Sequence, residues 1–489
     1  MKRVWFRQDR EAVLAALCRG ERPHLATTTA CGPLDELLAL HHELGIFRQL
    51  DRLPVSRQRA GLSDALLLRT LATLPFVAEP SLAAATGALF REPTLLLQLG
   101  WAPAQIRNGD NSRHRHPEGR QAESLPCHPD TLRDQLRRIQ ARAWDKAQRA
   151  GIQALYQRRL VRGAVYAVDG SGLGPGLRLV CLVSVGGGRP FLVAWRLLEG
   201  DASEKGKEAA VTKELIEQVL AAGGAIELLL ADALYADGPL LAWLKYGKGI
   251  DALVALPSDR LLYQDLQGLA RGGLIRWSKH RYVRRVAGHK QRRVVEVASS
   301  GGLTSWDSFV EAAAAYGASG ASLWGCLIRQ REPEAWPLEE AEALVSTRAW
   351  PDGFQALLAY RPRWHIEDDA YRELKEGWGL EAQRWGRDVA ASRGRVTLTC
   401  LAFNTAQAYR LAVGQRLAQR GIRRLRREYR RELGAAPVVV YVAGCYAVLA
   451  VEELLAALGR PVQESLLPFG GQKEAEALPD QQPPTEKPP

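Results

Sequence analysis

Apolar residues follow two patterns along this chain of 489 residues, continuous runs and a helical repeat. Short, continuous apolar runs, typical of buried strands, occupy residues 164–168, 178–185, 190–195 and 225–231. Gly186-Gly187-Gly188 separates the second run from the third and predicts a hairpin. From 207 to 222 the apolar residues recur at helical spacing. Three strands, a helix and a further strand predict an α/β fold with a mixed sheet.

The segments on either side of this core have different patterns. Residues 1–155 show helical spacing and predict a helical N-terminal region, either a DNA-binding domain or a packed bundle. Residues 236–357 contain short β patterns and are too long for a simple crossover, which predicts a β-rich insertion. Residues 416–468 predict an arginine-rich helical region, which forms either a solvated face or a surface for phosphate or a partner. The polar, proline-rich residues 469–489 predict a disordered tail.

Two aspartates follow apolar runs of the predicted sheet. Asp169 leads into Gly170-Ser171-Gly172, which predicts an exposed turn, and Asp232 follows the run that ends at Ala231. A single carboxylate in such a place is often only a helix cap or a turn former. Two of them together with a third acid, Glu367, would repel one another unless a divalent cation lay between them. Carboxylate oxygens suit Mg²⁺ or Mn²⁺, and two such ions about 4 Å apart promote phosphodiester cleavage.

The third acid lies in a segment that begins with Tyr360 and contains Arg363 and Glu367. Pro362 is suited to a first helical turn, so we expect a helix to start near it. Arg363 and Glu367 are four residues apart and therefore share a face of that helix. Elsewhere such a pair is often only a solvated ion pair that contributes about 0.2–0.5 kcal/mol.

Together, these residues resemble the catalytic core of the DDE transposases of bacterial insertion sequences, in particular the insertion sequence 4 type. The signature of that type is Tyr, two residues, Arg, three residues, Glu, six residues and Lys. Tyr360, Arg363 and Glu367 match its spacing, and Trp364 and Ile366 match the usual Arg-Trp-x-Ile-Glu run. The resemblance extends over roughly residues 164–410.

The lysine of the signature is displaced by one residue. Lys375 follows Glu367 after seven residues, and Leu374 occupies the expected position. On an ideal helix this displacement rotates the lysine by roughly 100°. Either a local bulge in the helix compensates for the rotation, or Lys375 does not have the role of the signature lysine. Choosing Asp368 as the third acid would restore the lysine spacing but would break the spacing to Tyr360 and Arg363.

The resemblance implies an RNase H-like catalytic core formed by residues 156–235 and 358–415. It implies that Asp169, Asp232 and Glu367 hold two Mg²⁺ or Mn²⁺ ions. The implied activity is strand cleavage at transposon ends, followed by attack of the freed 3′ hydroxyl on target DNA. The residues implied to contact DNA phosphates are Tyr360, Arg363 and Lys375. The implied assembly is a homodimer that pairs two terminal inverted repeats in a synaptic complex.

The positive net charge of the chain also favours DNA as a partner. The net charge is +12 and the sequence pI is about 9.5, which fits a polyanionic ligand such as DNA. Every charge from Arg276 to Arg293 is positive. This basic hairpin is either an ordinary solvated edge or a phosphate-binding surface, and the suspected nuclease chemistry favours the second. The arginines that we expect to bind DNA there are Arg284, Arg285, Arg292 and Arg293.

In cut-and-paste members of the family, a tryptophan stacks on a flipped base near the cut. Ala343 aligns with that position here. The tryptophans that would replace it are Trp277, Trp306 and Trp324, although each is also suited to core packing.

The remaining features exclude some classes of protein. The seven cysteines contain no Cys-x-x-Cys pair, which argues against zinc fingers and disulfides and favours a reducing compartment. Because no secretory or membrane-spanning apolar run occurs, we expect a cytoplasmic, nucleoid-associated protein. Two alternatives remain. One is an RNase H-like nuclease or resolvase that does not require paired ends, and the other is a catalytically inactive, transposase-derived DNA-binding protein.

Overall fold

The computed structural model describes residues 7–27, 32–55, 61–77, 81–90, 92–108, 126–203, 207–286, 289–381, 388–412, 438–449 and 451–459. The chain divides into two compact units. Unit 1 comprises Met1–Trp144 and Ala382–Pro489, and unit 2 comprises Asp145–Glu381. Residues 382–415, which we expected in the catalytic core, therefore belong to unit 1.

The helices of the described residues are numbered in chain order. They are α1 (Arg10–Cys18), α2 (Gly32–Glu43), α3 (Ile46–Leu50), α4 (Asp64–Thr73), α5 (Leu82–Phe90), α6 (Pro93–Leu99), α7 (Pro103–Asn108), α8 (Pro129–Arg137), α9 (Ala141–Gln157), α10 (Glu208–Ala221), α11 (Gly238–Ala242), α12 (Leu261–Arg271), α13 (Asp307–Ala314), α14 (Gly353–Tyr360), α15 (Val389–Ala412) and α16 (Val451–Gly459).

The strands are numbered in the same way. They are β1 (Arg7–Gln8), β2 (His24–Thr27), β3 (Val165–Gly172), β4 (Leu177–Ser184), β5 (Phe191–Glu199), β6 (Leu228–Ala231), β7 (Asp251–Ala255), β8 (Ser278–Val286), β9 (His289–Leu303), β10 (Leu323–Glu332), β11 (Glu342–Ser346), β12 (Val438–Val442) and β13 (Cys445–Leu449).

The first part of unit 1 is helical, in agreement with the N-terminal pattern. Its helices α2 to α6 bury leucine-rich faces, and α8 and α15 pack against α4. His41 on α2 is fully buried, and its Nδ1 lies 2.8 Å from Thr405 Oγ1 on α15. Burial lowers the pKa of His41 to about 3, so the ring is neutral at physiological pH.

The second part of unit 1 contains a sheet that the sequence pattern did not predict. Strands β1, β13, β12 and β2 pair in that order, and α1 and α16 bury apolar side chains with them. Residues 438–449 form a hairpin within the region 416–468, which we expected to be helical. Alternate residues of Val438–Val442 are buried, as in a one-sided strand, and Ala443 and Gly444 supply the two positive φ angles of a tight hairpin turn. The predicted arginine run at 416–431 and the predicted disordered tail lie outside the described residues.

Unit 2 contains a nine-stranded mixed sheet in the order β5-β4-β3-β6-β7-β11-β10-β9-β8. Its first five strands have the RNase H-like arrangement, in which β4 is antiparallel to both β3 and β5 while β6 and β7 run parallel to β3. The predicted fold class is therefore confirmed. The nearly continuous burial of β3, β4 and β6 explains why their sequences read as uninterrupted apolar runs.

Strand β7 lies inside residues 236–357, so the predicted start of the β-rich insertion was too early, and strands β8 to β11 of that range extend this sheet. Strand β11 pairs antiparallel with β7, and β10, β9 and β8 follow as antiparallel neighbours. The insertion therefore shares a continuous sheet with the RNase H-like strands. Helix α14, which follows it, begins at Gly353, where Asp352 Oδ1 accepts a hydrogen bond of 2.8 Å from Gln355 N. The expected helix start near Pro362 was too late, because Pro362 lies in a 3₁₀ turn after α14 has ended.

Candidate active site

The sheet register makes Asp169 and Asp232 neighbours. Val168 on β3 pairs with Ala231 on the parallel strand β6, so the two aspartates occupy the next positions on adjacent strands. Adjacent strands lie about 4.8 Å apart. The sequence pattern placed Asp169 at the start of a turn, but β3 continues to Gly172 because β4 still pairs with it there. Asp169 therefore lies within a strand and is only 8% exposed.

Backbone N–H groups hold both carboxylates. Asp169 Oδ1 accepts a hydrogen bond of 2.7 Å from Gly170 N, and Asp232 Oδ1 accepts one of 2.9 Å from Leu234 N, which caps a 3₁₀ turn. Burial, followed by the negative charge of Asp232, raises the pKa of Asp169 to about 7. Burial also raises the pKa of Asp232. The pair therefore binds protons unusually tightly, as expected for acids that lack a cation.

Glu367, the third predicted acid, lies in a π-helical segment, Ile366–Tyr371. Its side chain is 39% exposed, and its Oε1 accepts a hydrogen bond of 2.7 Å from Arg363 Nη1. Arg363 is almost fully buried, and its positive charge lowers the pKa of Asp169 and of Asp232. One guanidinium thus acts on all three carboxylates, which leaves them with an excess of negative charge.

Tyr360 connects this segment to the strand that precedes Asp232. Its hydroxyl donates a hydrogen bond of 2.8 Å to the carbonyl oxygen of Ala231, the last residue of β6. Its ring centroid lies 5.6 Å from the Arg363 guanidinium, and the ring centroid of Trp364 lies 4.9 Å from the same group. Arg363 therefore contacts both Tyr360 and Glu367.

The helix that carries Glu367 has the bulged geometry that the lysine spacing required. Two π-helical segments, Ile366–Tyr371 and Glu373–Gly377, follow one another. The hydrogen bonds of a π-helix join residues five apart, so each such turn accommodates one more residue than an α-helical turn. Leu374 is fully buried and Lys375 is half-buried. A role of Lys375 in DNA binding stays a prediction.

The donor set fits a hard divalent cation. The three acids supply carboxylate oxygens, and burial and mutual repulsion raise the pKa of Asp169, an effect that a bound cation would reverse. In the described part of the chain, no three His, Cys, Asp or Glu side chains are grouped closely enough to surround one ion. The fit is therefore to an ion bound between Asp169 and Asp232, with Glu367 able to join when it leaves Arg363.

The predicted DNA-binding arginines of the hairpin do not share one surface. Arg292 is exposed, whereas Arg293 is half-buried, donates a hydrogen bond of 3.0 Å to Gln291 Oε1 and also bonds to Gln330. As successive residues of β9, these two arginines point to opposite faces of the sheet. Arg284 and Arg285 lie on β8, and their side chains are outside the described residues.

A cavity of about 320 Å³ lies beside Arg363. Its lining includes Tyr282, Ala343, Tyr360, Arg361, Arg363 and Trp364. Ala343, the position at which the resemblance expects a tryptophan, is therefore a cavity residue. The three candidate tryptophans lie elsewhere. Trp306 and Trp324 are buried, and Trp277 packs with its ring centroid 4.0 Å from the Arg329 guanidinium.

A buried ion pair beside Asp169 was not predicted. Arg178 on β4 pairs with Glu208 on α10, and Arg178 Nη2 donates a hydrogen bond of 3.0 Å to the carbonyl oxygen of Gly170. A Cβ atom at position 170 would lie 2.8 Å from Glu208 Cγ and 2.9 Å from Arg178 Nε. Gly170 is therefore needed for close packing. The pair left no spacing signal in the sequence because its members come from separate elements.

Comparison with known proteins agrees with this geometry. Residues 175–405 match the family model described as a transposase DDE domain, a range that includes Asp232 and Glu367 and begins shortly after Asp169. A search of curated proteins found no match. Among solved structures, the chain is similar to the cryo-EM structure of a piggyBac transposase synaptic complex with hairpin DNA. The TM-score is 0.42 at 12% identity, over 84% of this chain and 82% of that chain.

No helix in the described part of the chain is long and apolar enough to cross a membrane.

The RNase H-like strand order of unit 2 brings Asp169 and Asp232 together and Glu367 within their electrostatic reach. The family match covers the two later acids and the segment between them. Enzymes of that family cleave and join DNA strands and use divalent metal ions. Residues 175–405 therefore resemble a transposase DDE domain, and this match supports the function of a DNA transposase.

Proposed function

We propose that this transposase is of the insertion sequence 4 type and that Asp169, Asp232 and Glu367 are its catalytic acids. The observation that carries the proposal is the register of β3 and β6, which makes the two aspartates neighbours, together with the ion pair that joins Glu367 to Arg363. Tyr360, Arg363 and Glu367 have the spacing of that branch, and Arg363 contacts both of the others. The substrates would be the terminal inverted repeats of the element and, after cleavage, target DNA.

Two Mg²⁺ or Mn²⁺ ions would be held by the three carboxylates. When bound, such ions activate the attacking water or 3′ hydroxyl and stabilise the leaving oxygen. The residues of the chain then have separate tasks. Asp169 and Asp232 would bind the cation in their ionised forms, and Arg363 partly neutralises the negative charge of the carboxylates. The backbone donors of Gly170 and Leu234 orient the two aspartates.

Arg363 is also placed to contact DNA. Its Nη1 atom is bonded to Glu367, but its Nε atom has no hydrogen-bond partner among the described residues. A buried guanidinium donor that lacks a protein acceptor is suited to a phosphate oxygen of the strand being cut. Trp364 is exposed beside it, and Lys375 would supply a further phosphate contact from the following turn.

The basic hairpin would extend the DNA path away from the acids. Arg292 is exposed on the face of the sheet opposite to Arg293, which bonds within the sheet. We therefore assign phosphate contact to Arg292 and a mainly structural role to Arg293, while phosphate contact by Arg284 and Arg285 of the neighbouring strand stays a prediction. Two copies of the chain would pair two transposon ends in a synaptic complex, and the enzyme would act at the nucleoid.

The test is strand cleavage of a labelled duplex that carries the terminal repeat of the element, with Mg²⁺. Asp169→Ala and Glu367→Ala should abolish cutting and retain DNA binding. Asp368→Ala is a matched control, because Asp368 is the next acid along the chain but is exposed and pairs with Arg372. It should leave cutting intact.

Three outcomes would contradict the proposal. If the wild type bound DNA without cutting it, the chain would be an inactive DNA-binding protein. If it cut equally well without the repeat, it would be a nuclease or resolvase. Loss of cutting in the Asp368→Ala variant alone would identify Asp368 as the third acid.

A further inference from the structure

Tyr371 lies in the same π-helical segment as Glu367 and is 5% exposed. Its hydroxyl oxygen is within hydrogen-bonding distance of three backbone atoms of the sheet. It lies 2.6 Å from the carbonyl oxygen of Asp169, 2.9 Å from the carbonyl oxygen of Leu179 and 3.0 Å from Cys181 N. The first of these atoms belongs to a catalytic acid, and the other two belong to the adjacent strand β4.

The chemistry of each group determines whether it donates or accepts in these hydrogen bonds. Cys181 N–H donates to the tyrosine hydroxyl, and the single hydroxyl proton is shared between the two carbonyl oxygens. Asp169 and Cys181 are themselves register partners in the β3–β4 pair. The hydroxyl therefore bridges both strands at the level of Asp169.

This bridge is one of two tyrosine contacts on either side of Glu367. Tyr360 precedes Glu367 and donates to Ala231 O, the residue before Asp232. Tyr371 follows Glu367 and donates to the carbonyl of Asp169 itself. The segment that carries the third acid is thus attached, before and after that acid, to the backbone beside the first and second acids.

We propose that Tyr371 is a positioning residue that fixes the segment carrying Glu367 beside Asp169, from where Glu367 can join Asp169 and Asp232 in binding a divalent metal. This inference rests on the proposed assignment of the three acids. A metal site requires ligands from separate elements to be held to about 0.5 Å, and groups that orient ligands typically contribute about 10–100-fold to metal affinity. The ring of Tyr371 packs in the core, whereas its hydroxyl fixes the position of the segment relative to β3 and β4.

The test compares Tyr371→Phe with Tyr263→Phe in the full chain. Tyr263 is a matched control, because it is 4% exposed and its hydroxyl donates a hydrogen bond of 2.7 Å to the carbonyl oxygen of Ala341, outside the acid cluster. Each substitution removes one buried hydroxyl that is bonded to backbone and keeps the aromatic ring. Both variants are expected to fold. A similar fall in their thermal unfolding midpoints would show that the two substitutions destabilise the fold to a similar extent.

The decisive readout is Mn²⁺ binding measured by electron paramagnetic resonance, which does not require catalysis. We expect the Mn²⁺ dissociation constant of Tyr371→Phe to rise about tenfold, and that of Tyr263→Phe to stay within about twofold of the wild type. The Mg²⁺ concentration for half-maximal cleavage should rise in parallel, with DNA affinity unchanged.

Equal Mn²⁺ affinity in the two variants would overturn the inference, as would a wild type that binds no Mn²⁺. A wild type that binds Mn²⁺ but does not cut the terminal repeat would contradict the proposed function alone. In that case the comparison of Mn²⁺ affinities would still decide the role of Tyr371.

Discussion

Replacing Asp169 by asparagine should stabilise the metal-free protein at alkaline pH. Asp169 is buried beside Asp232, and its pKa is raised from 3.8 to about 7. The folded protein therefore binds this proton more tightly than the unfolded chain does. Stability is fully present below pH 3.8 and is lost as the pH rises to about 7. Asparagine keeps the shape and an acceptor oxygen for Gly170 N but carries no charge.

The size of the effect follows from the pKa difference. Each pH unit between the folded and unfolded pKa corresponds to about 1.4 kcal/mol of unfolding free energy. Ionised Asp169 therefore costs the metal-free fold up to about 4 kcal/mol above pH 7, and less than half of that at pH 5. The Asp169→Asn variant should exceed the wild type in stability at pH 8, and the difference should shrink at pH 5.

The assay is urea unfolding in EDTA at pH 5 and pH 8, followed by circular dichroism. Taking the difference between variant and wild type at each pH cancels the titration of other groups. Asp368→Asn, at a side chain that is 58% exposed, should show no such pH-dependent difference. Mg²⁺ at pH 8 should stabilise the wild type but not Asp169→Asn. A stability difference that is equal at the two pH values, or a variant less stable than the wild type at pH 8, would refute the reasoning.

Three further substitutions test other parts of the structure. Arg363→Lys keeps the charge but loses the planar guanidinium that bonds to Glu367 and lies near the Tyr360 ring. Cleavage of the terminal repeat should therefore fall at least about tenfold, while the circular dichroism spectrum stays unchanged. Tyr360→Phe leaves the carbonyl of Ala231 without its tyrosine donor and should lower the unfolding free energy by about 1–3 kcal/mol in urea titrations; no change would show that water replaces the hydroxyl. His41 is buried with a pKa of about 3 instead of 6.5, so stability is complete above pH 6.5 and falls by about 2 kcal/mol by pH 5. His41→Leu should remove this acid sensitivity, and parallel pH profiles of thermal unfolding in the two proteins would count against it.

Much of the RNase H-like core could be predicted from the sequence. Buried strands have continuous apolar runs and a helix has its own period, so the strand that contains Asp169, the hairpin after it, helix α10 and the strand that precedes Asp232 were all correctly placed. The Tyr360, Arg363 and Glu367 group was also predictable, because residues close together in the chain share a local geometry. The displaced Lys375 left two alternatives, a local bulge or a lysine without the role of the signature; the segment contains π-helical turns, and the role of Lys375 stays a prediction.

Predictions from local sequence patterns were wrong where pairing with a distant strand determined the conformation. Gly170 to Gly172 has the composition of a turn, but β4 pairs with it and keeps it in a strand. Residues 438–442 lie next to an arginine-rich helical pattern, yet they form a strand because β2 and β13 flank them on both sides. The insertion has the pattern of separate hairpins, and only the pairing of β11 with β7 shows that it extends the core sheet.

The sequence by itself supplied the candidate acids and the candidate arginine, because residue type and short-range spacing can be read along the chain. Tertiary structure alone decided that Asp169 and Asp232 are neighbours, that Arg178 and Glu208 form a buried pair behind Gly170, and that the hydroxyl of Tyr371 reaches the backbone of Asp169. These contacts join elements far apart in the chain. Their physical basis is the register of parallel strands and the reach of single side chains, and neither leaves a periodic signal in the sequence.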